Sequence, residues 1–534
     1  MTTPAPLHEH LCRHARERPD AAALLWYGRA ITWAELDAMS DAFAARLQAL
    51  GVGAGEPVVL FLNNCPQYFV AHYGIQKMGA IVCPSGPLNK AHELGYQVGD
   101  LQARVIVAAS DLLPIVEQVR GQAGSTLAHV FAVHYADWLP EVPNLPLPAE
   151  LQAARAAPRI RQADCEDFEA AVQSGACPAP VARGMDDVAL MTYTSGTTGL
   201  PKGAMLSFAN ALFKTEVTAQ ANDFTQQSMV LSVAPLYHIA GMLMGVNVPI
   251  YAGATQVLLF RFDPQALLQA IATYRVTHWY SIAPMNVACM QLPGAEHHDL
   301  TSLQRNPVTS FGIMFTEPLA RQWQDFTRGS CLSYEAAYGL SETHTMDTGM
   351  PVRAIRWGTQ GKPMPGVAIR ILDTATGAEL PRGELGEITV RSPGNFQGYW
   401  NKPEATAATL RDGWVHTGDM GRLDAEGYLS FTGRMKEMIK VSGYSVFPEE
   451  VETLLIKHPA VAQAAVVAEP DAAKGEVVKA FIVTKPGQSL TAEALIAWSR
   501  ENMATYKAPR HVRFIDALPA TGAGKVLRRL LKDL

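Results

Sequence analysis

The sequence of 534 residues lacks the features that mark several common classes of protein. Its seven cysteines are dispersed and form no C-x-x-C pair, which argues against a disulfide framework and against a structural zinc site. No apolar run approaches the ~20 residues of a membrane-spanning helix, and the polar first residues, with His8, Glu9 and His10, do not resemble a signal peptide. These absences favour a cytoplasmic protein with reduced thiols and no transmembrane segment, and they are compatible with peripheral membrane contact.

An excess of charge of one sign is missing as well. The 44 basic and 50 acidic residues give a net charge of -6, and no long block of like charges appears, so nothing favours a nucleic-acid partner. The sequence also lacks the G-x-x-x-x-G-K-[ST] string of P-loop NTPases and the G-x-S-x-G nucleophile elbow. A P-loop NTPase is therefore disfavoured, and no signature of a protein nucleophile is present.

What the sequence does have is a stretch rich in Ser, Thr and Gly, TYTSGTTGLPKGAML at residues 192–206. It follows the short apolar run Val188–Met191, which predicts a buried strand. Glycine lets the backbone turn, and such a turn can aim N–H groups and hydroxyls at an anion. By itself, the stretch is equally compatible with a polyphosphate loop and with an ordinary turn. The residues predicted to bind phosphate are Thr194, Ser195, Gly196, Thr197, Thr198, Gly199 and Lys202.

The stretch AYGLSETHT (337–345) carries groups suited to a nucleotide. Tyr338 offers a flat face for a purine base, Thr343 offers a hydroxyl to phosphate, and Glu342 offers a hard oxygen ligand for the Mg²⁺ that accompanies ATP. By residue type alone, a strand end leading to a polar turn is the more common explanation of such a string.

Two further stretches can each be explained either by a role in a ligand site or by a purely structural role. In GWVHTGDMG (413–421), the glycine-flanked Asp419 can accept two ribose hydroxyls, or it can simply close an Asx-turn. In APLYHIAGM (234–242), His238 is by itself more typical of a core histidine than of a site residue.

The complete strings resemble those of the adenylate-forming superfamily, which includes acyl-CoA synthetases, adenylation domains of nonribosomal peptide synthesis and beetle luciferases. The resemblance covers nearly the whole chain and indicates an AMP-forming acyl-CoA synthetase of the fatty-acid or aryl-acid CoA ligase type. It implies ATP, Mg²⁺ and CoA as cofactors and a small carboxylic acid as substrate. The matching strings in chain order are those at 192–206, 234–242, 337–345, 413–421, 433–452 and 518–529.

The resemblance also implies a role for each candidate residue. His238 would lie between the acid and the nucleotide, and Asp419 with Arg434 would bind the ribose. Lys436 would be the hinge of a moving C-terminal domain, and Gly443 would approach the pantetheine channel. The residues expected to be catalytic are Lys525, which would stabilise charge during adenylation, Glu342 as the metal ligand, Thr194 and His238.

The coarse pattern of strands and helices fits this family. A helix is predicted over residues 31–50, where Thr32 and Glu35 make a capping box, and strands alternate with helices after it, which suggests a parallel sheet. We expect an α/β fold with a large N-terminal domain of layered sheets and helices, residues 1–435. A smaller, mobile α+β domain would follow at residues 436–534.

The acid is the least determined part of the prediction. Where the family usually has an S-G-[GA]-A-P-like turn, this chain has SFGIMFTEPL (310–319), with Gly312 as its one glycine. Our hypothesis is that Ile313, Met314 and Phe315 reshape the acid pocket. A fatty acid is favoured on family prevalence, with an aryl acid, a separate carrier protein as acceptor, or a catalytically silent nucleotide-binding module as alternatives. A homodimer is possible.

Overall fold

The computed structural model describes residues 4–157, 164–194, 200–311, 313–441, 444–471, 475–521, 525–532 and 534. Within these ranges, two mostly parallel sheets and an antiparallel sheet form a large N-terminal part, and a smaller sheet with its own helices follows. The expected α/β class, with a large N-terminal and a smaller C-terminal domain, is confirmed. None of the helices in these ranges is long and apolar enough to cross a membrane.

Both mostly parallel sheets have eight strands in the described chain. The first sheet has the spatial order Ser281–Ile282, Arg305–Thr309, His278–Trp279, Met229–Ser232, Thr255–Leu258, Ala22–Trp26 and Arg29–Thr32, with Leu332–Glu335 also paired to Arg305–Thr309. The second has the order Gly398–Tyr399, Lys202–Ser207, Val188–Thr194, Ile81–Pro84, Pro57–Phe61, Val105–Ala109, His129–Val133 and Glu166–Asp167. The Ser-, Thr- and Gly-rich stretch at residues 192–206 therefore begins and ends in two neighbouring antiparallel strands near one edge of the second sheet.

Helices cover these sheets with their apolar faces. The helix predicted from its capping box begins where expected, because Thr32 Oγ1 accepts from the Glu35 amide at 3.1 Å and the Thr32 amide donates to the Glu35 carboxylate at 2.7 Å. The α-helices before the C-terminal domain are Leu7–Glu17, Trp33–Ala49, Pro66–Lys77, Ala91–Leu101, Leu113–Arg120, Ala149–Ala156, Phe168–Val172, Phe208–Ala221, Ile239–Met242, Val248–Ala252, Pro264–Tyr274, Ala283–Met290, Glu317–Phe326 and Pro403–Thr409.

The third sheet is antiparallel and lies at the end of the N-terminal part. Its strands are Ala368–Leu372, Gly386–Arg391, Trp414–Leu423 and Leu410–Arg411, with Leu429–Arg434 also paired to Trp414–Leu423. A two-stranded ribbon, Thr348–Gly349 with Lys362–Pro363, follows the predicted purine and metal stretch.

The C-terminal part has a core of its own, built from residues such as Val451, Val466 and Ile482. Its sheet has the order Tyr444–Val446, Ile439–Val441, Gly475–Thr484 and Val461–Asp471, with His511–Phe514 beside Gly475–Thr484. Its α-helices are Pro448–Leu455, Ala492–Asn502 and Arg528–Leu531. A separate core agrees with a separate domain, and the boundary after residue 435 stays a prediction.

Candidate active site

Asp419, Arg434 and Tyr338 meet at the third sheet. Asp419 and Arg434 are opposite each other on paired strands, with 3.3 Å between Arg434 Nε and Asp419 Oδ1. The Tyr338 hydroxyl donates to Asp419 Oδ2 at 2.8 Å. Burial raises the pKa of the Asp419 carboxyl, while Arg434 acts in the opposite direction. Asp419 Oδ1 is buried and has the ion pair with Arg434 but accepts no hydrogen bond from the described residues, and binding of a ribose hydroxyl there stays a prediction.

Hydrogen bonds join Tyr338 to residues 347 and 348 and so close the loop between them. The Tyr338 amide donates to Thr348 Oγ1 at 2.8 Å, and the Asp347 amide donates to the Tyr338 carbonyl at 2.8 Å. The Tyr338 ring lies 6.0 Å from the Phe431 ring in a stacked arrangement and is 7% exposed. The loop therefore holds Tyr338 rigidly beside the ribose candidate, and its stacking on a purine stays a prediction.

Glu342, the predicted metal ligand, is fixed at both ends. Its carbonyl accepts from the Phe396 amide at 2.7 Å, and its Oε1 accepts from the Tyr399 hydroxyl at 2.7 Å. The ammonium of Lys202 lies 4.4 Å from the centroid of the Tyr399 ring. One tyrosine thus contacts the predicted metal ligand and the predicted phosphate lysine. The sequence did not predict Tyr399, because Glu342 and Tyr399 are 57 positions apart in the chain.

Thr343 does not present its hydroxyl as predicted. The residue is fully buried, and its hydroxyl donates to Asp347 Oδ2. Since a hydroxyl has a single proton, this geometry argues against the predicted donation from Thr343 to phosphate. Ser341 of the same 3₁₀ turn, Ser341–Thr343, is half-buried and carries the second hydroxyl of this stretch.

Asp347 is held by a second buried partner, Lys214 of the helix Phe208–Ala221. Lys214 Nζ lies 2.6 Å from Asp347 Oδ1 and donates to the Met346 carbonyl at 3.3 Å, and both charged side chains are fully buried. Burial lowers the pKa of Lys214 and raises that of Asp347. Residues 344–346 all have left-handed backbone conformations, with φ of 56°, 55° and 48°, which costs about 1–2 kcal/mol per residue. The ion pair therefore stabilises a strained turn directly after Glu342 and Thr343.

His238 and Lys525 belong to the same region. His238 caps the helix Ile239–Met242, where its Nδ1 accepts from the Ala240 amide at 3.3 Å. Burial, assisted by the positive charge of Lys525, lowers the pKa of His238 to about 4, so the ring is neutral at pH 7. Burial and the Arg434 guanidinium lower the pKa of Lys525, while Glu437 and Asp419 raise it. The charge of Lys525 therefore acts on both His238 and Asp419, and its catalytic role stays a prediction.

The other predicted residues are less defined. Thr194 ends its strand half-buried, with its hydroxyl 3.5 Å from the Lys202 carbonyl. Lys436 lies exposed in the 3₁₀ turn Met435–Glu437. Ser195, Gly196, Thr197, Thr198, Gly199 and Gly443 lie outside the described residues.

An apolar cluster includes Ala240 of the helix that His238 caps. A π-helical turn, Leu243–Asn247, follows this helix, and such turns often occur at functional sites. Its buried members are Ala219, Phe224, Val230, Leu243, Met244, Val248, Ala254, Tyr280, Ala336 and Met346, and the half-buried Ala234, Ala240, Tyr251, Ala252 and Ala337 pack against them. It lies beside both His238 and Tyr338 in the sequence, and we call it the apolar cluster below.

The hypothesis that Ile313, Met314 and Phe315 reshape the acid pocket stays a prediction. Phe315 is buried in a different cluster with Val308 and Ala320, its ring 6.0 Å from Trp357, and Ile313 packs against that same cluster. These two side chains therefore pack away from the apolar cluster. Met314 is half-buried, and its effect on the acid stays a prediction.

Comparison with known proteins identifies the family of the chain. The model of the AMP-binding enzyme family matches residues 11–400, and that of the AMP-binding enzyme C-terminal domain matches residues 450–525. A long-chain-fatty-acid–CoA ligase of Bacillus subtilis is 32% identical, covering 99% of this chain and 94% of that protein. A feruloyl-CoA synthase of an Amycolatopsis species is 33% identical, covering 97% and 96%. An anthranilate CoA ligase solved with anthranoyl-AMP is 27% identical with a TM-score of 0.87, covering 100% and 98%.

Fold and site together define an adenylate-forming enzyme. The chain belongs to the AMP-binding enzyme family, and within it to the AMP-forming acyl-CoA synthetases. The family predicted from the phosphate stretch is thus confirmed, as are ATP, Mg²⁺ and CoA as the cofactors of this class.

Proposed function

We propose that the protein is a cytoplasmic ligase that joins an apolar carboxylic acid, with a fatty acid favoured, to CoA, and that ATP is split to AMP and pyrophosphate. The observation that supports an apolar acid as the substrate is the apolar cluster, which includes residues next to His238 in the sequence. Glu335, the carboxylate next to Ala336, is occupied by the amide and hydroxyl of Ser310, so it is not offered to the α-amino group of an amino acid.

In the first step, an oxygen of the substrate carboxylate attacks the α-phosphorus of ATP, and the bond to the β-phosphate oxygen breaks. Negative charge grows on the phosphoryl oxygens, and the Lys525 ammonium is the group near Asp419 and His238 that stabilises it. Neutral His238 would line the acid side without attracting a second anion. Asp419 and Arg434 would orient the nucleotide through its ribose.

Glu342 would hold Mg²⁺, which neutralises charge on the ATP phosphates. The described residues contain no cluster of three or more His, Cys, Asp or Glu side chains arranged to hold a metal. A single carboxylate suits Mg²⁺, because this ion usually binds through one or two carboxylates together with substrate phosphates.

In the second step, the thiol sulfur of CoA attacks the acyl carbon, the bond from that carbon to the AMP phosphate oxygen breaks, and the thiol proton passes to solvent. Lys525 is not needed in this step. A rotation of the C-terminal domain about Lys436 would withdraw it and open the path of the thiol.

Two alternatives keep the same first step. An aryl acid is favoured by the feruloyl-CoA synthase and the anthranilate CoA ligase among the similar proteins. A separate carrier protein would replace CoA as the thiol acceptor.

The test is AMP release from ATP with a panel of fatty, aryl and short acids, with and without CoA. Turnover that requires CoA and one class of apolar acid is the expected result. Adenylate formation without any response to CoA would favour the carrier protein, and turnover with amino acids alone would contradict the proposal. Met314→Gly in the same panel tests whether this side chain shapes the acid pocket, and an unchanged acid profile would refute that role.

A further inference from the structure

Tyr399 contacts two residues of the proposed nucleotide site, the predicted metal ligand Glu342 and the predicted phosphate-binding Lys202. Its hydroxyl donates to Glu342 Oε1 at 2.7 Å, and its ring lies under the Lys202 ammonium, 4.4 Å from ring centroid to Nζ. The residue is 6% exposed. Glu342 and Tyr399 are 57 positions apart in the chain, so only the fold brings them together.

The backbone of Tyr399 is anchored to the strand that carries Lys202. Tyr399 pairs with Ala204 in antiparallel register, and the Trp400 amide donates to the Gly203 carbonyl at 2.8 Å. Three residues before Tyr399, the Phe396 amide donates to the Glu342 carbonyl. The tyrosine ring is therefore held in one position relative to both Lys202 and Glu342.

A carboxylate that accepts a phenolic hydrogen bond on one oxygen is restricted in orientation. Oε1 of Glu342 accepts one hydrogen bond, from Tyr399, whereas Oε2 accepts none from the described residues, so Oε2 is the oxygen that we expect to face an ion. Hydrogen-bond partners of metal-binding carboxylates typically change metal affinity or activity by about 10–100-fold when they are removed.

We propose that Tyr399 is a positioning residue that sets the response to the divalent cation by orienting Glu342, and that it aligns Lys202 through its ring. The proposal deepens the proposed function, and it rests on Glu342 being the carboxylate that binds the cation of the ATP complex. The two contacts predict separate effects: the hydroxyl governs the metal, and the ring governs the phosphate lysine.

The first experiment uses Tyr399→Phe in the full chain, which removes the hydroxyl and keeps the ring. The Mg²⁺ concentration for half-maximal adenylation should rise about 10-fold or more, with the KM for the acid unchanged. Mn²⁺ binding in the presence of ATP and the absence of acid, followed by electron paramagnetic resonance, should weaken by a similar factor. Tyr399→Leu also removes the ring and should in addition raise the KM for ATP at saturating Mg²⁺.

Tyr428 offers a matched control outside the site. It is similarly buried, its hydroxyl donates to the Ala354 carbonyl, and its ring lies 4.3 Å from Arg356 and 4.6 Å from Lys362. Tyr428→Phe also loses one hydrogen bond of a buried tyrosine, and it should leave the metal response unchanged.

A double-mutant cycle with Glu342→Gln separates this role from a structural one. If Tyr399 acts through the carboxylate, the effect of Tyr399→Phe on Mn²⁺ binding should disappear in the Glu342→Gln background, whereas independent effects would multiply. Equal Mn²⁺ affinities of wild type and Tyr399→Phe would overturn the role of Tyr399 and leave the ligase intact. A wild-type protein that binds ATP without any response to Mn²⁺ or Mg²⁺ would overturn the proposed function and this inference together.

Discussion

Breaking the buried ion pair between Lys214 and Asp347 should be among the most damaging single changes in the large domain. Lys214→Met removes the ammonium from a fully buried carboxylate that lies 2.6 Å away, and it also removes the donor to the Met346 carbonyl. Loss of one partner of such a pair typically costs about 3–5 kcal/mol, because the remaining charge is buried without compensation. A released Met346 carbonyl also loses a contact that holds the left-handed turn at residues 344–346.

This cost can be converted into a temperature. The entropy of unfolding is about 2.1 cal/mol/K per residue near 60 °C, or roughly 0.9 kcal/mol/K for a domain of the size proposed here. A loss of about 4 kcal/mol therefore lowers the thermal midpoint by about 4 °C. The measurement is scanning calorimetry of the full chain at neutral pH, with attention to the transition of the large domain, because two domains need not unfold together.

Arg321→Met is the matched control. Arg321 Nη2 lies 2.6 Å from Glu317 Oε1, the same separation as in the buried pair, but the Arg321 side chain is 73% exposed. An exposed pair of this kind contributes at most about 1 kcal/mol, so this variant should shift the midpoint by about 1 °C or less. Equal shifts for Lys214→Met and Arg321→Met would refute the reasoning, because the two pairs share the same N–O separation and differ greatly in burial.

The double variant Lys214→Met, Asp347→Leu sharpens the test. Replacing a whole buried pair by apolar residues is often neutral or stabilising, so most of the lost stability should return. The Thr343 hydroxyl keeps the Leu340 carbonyl as an acceptor, at 3.3 Å. The turn after Glu342 would still lack its donor to Met346, so we expect adenylation to stay reduced while the thermal midpoint recovers. Parallel recovery of both would show that the pair serves stability alone.

Three further predictions concern the nucleotide, the lysine and acid pH. Asp419→Asn should raise the KM for ATP about 10–100-fold, because a charged acceptor contributes about 1.5–3 kcal/mol to a hydrogen bond, and an unchanged KM would exclude the ribose role. Lys525→Ala should reduce adenylation at least about 100-fold and spare thioester formation from a supplied acyl-adenylate; equal losses in both half-reactions would contradict the proposed swing. Burial lowers the pKa of His72 to about 3, so between pH 6.5 and pH 3 this residue is protonated in the unfolded chain but not in the folded protein. Through this residue, the free energy of unfolding therefore decreases by about 1.4 kcal/mol for each unit by which the pH is lowered in that range. His72→Leu should therefore flatten the fall of the thermal midpoint below pH 6.5, and identical slopes would refute this account.

Features that depend on contiguous residues were predicted from the sequence, whereas contacts between residues far apart in the chain were not. The capping box at Thr32 and Glu35 needs only three residues of spacing, and it appears in the structure as expected. The strand Val188–Thr194 and the domain order also follow from local pattern. Lys214 and Asp347 are 133 positions apart, and each alone looks like an ordinary polar residue of a helix or a loop. Their pairing depends on how two elements pack, which periodicity does not report.

The prediction for Thr343 shows the limit of residue type within a string. Ser341 and Thr343 both carry hydroxyls, and the sequence does not say which one points outward. The structure decides through Asp347, which lies four residues later and accepts the Thr343 hydroxyl in the core. A buried carboxylate rarely goes without a donor, so an aspartate at this spacing was a signal that one of the two hydroxyls would be consumed internally.

The charges around Arg528 bear on how the proposed swing would work. Arg528 binds Glu437, Glu449 and Glu452, with 2.8 Å to each of the last two, and all four side chains are largely buried. Glu437 follows the proposed hinge Lys436 directly, and Arg528 lies three residues after Lys525. Since every member of this cluster lies on the C-terminal side of the hinge, rotation about Lys436 need break none of these ion pairs. The cluster would instead tie the turn of Lys525 to the hinge, so that the lysine leaves the site as part of a rigid domain and not as a loop that loosens by itself.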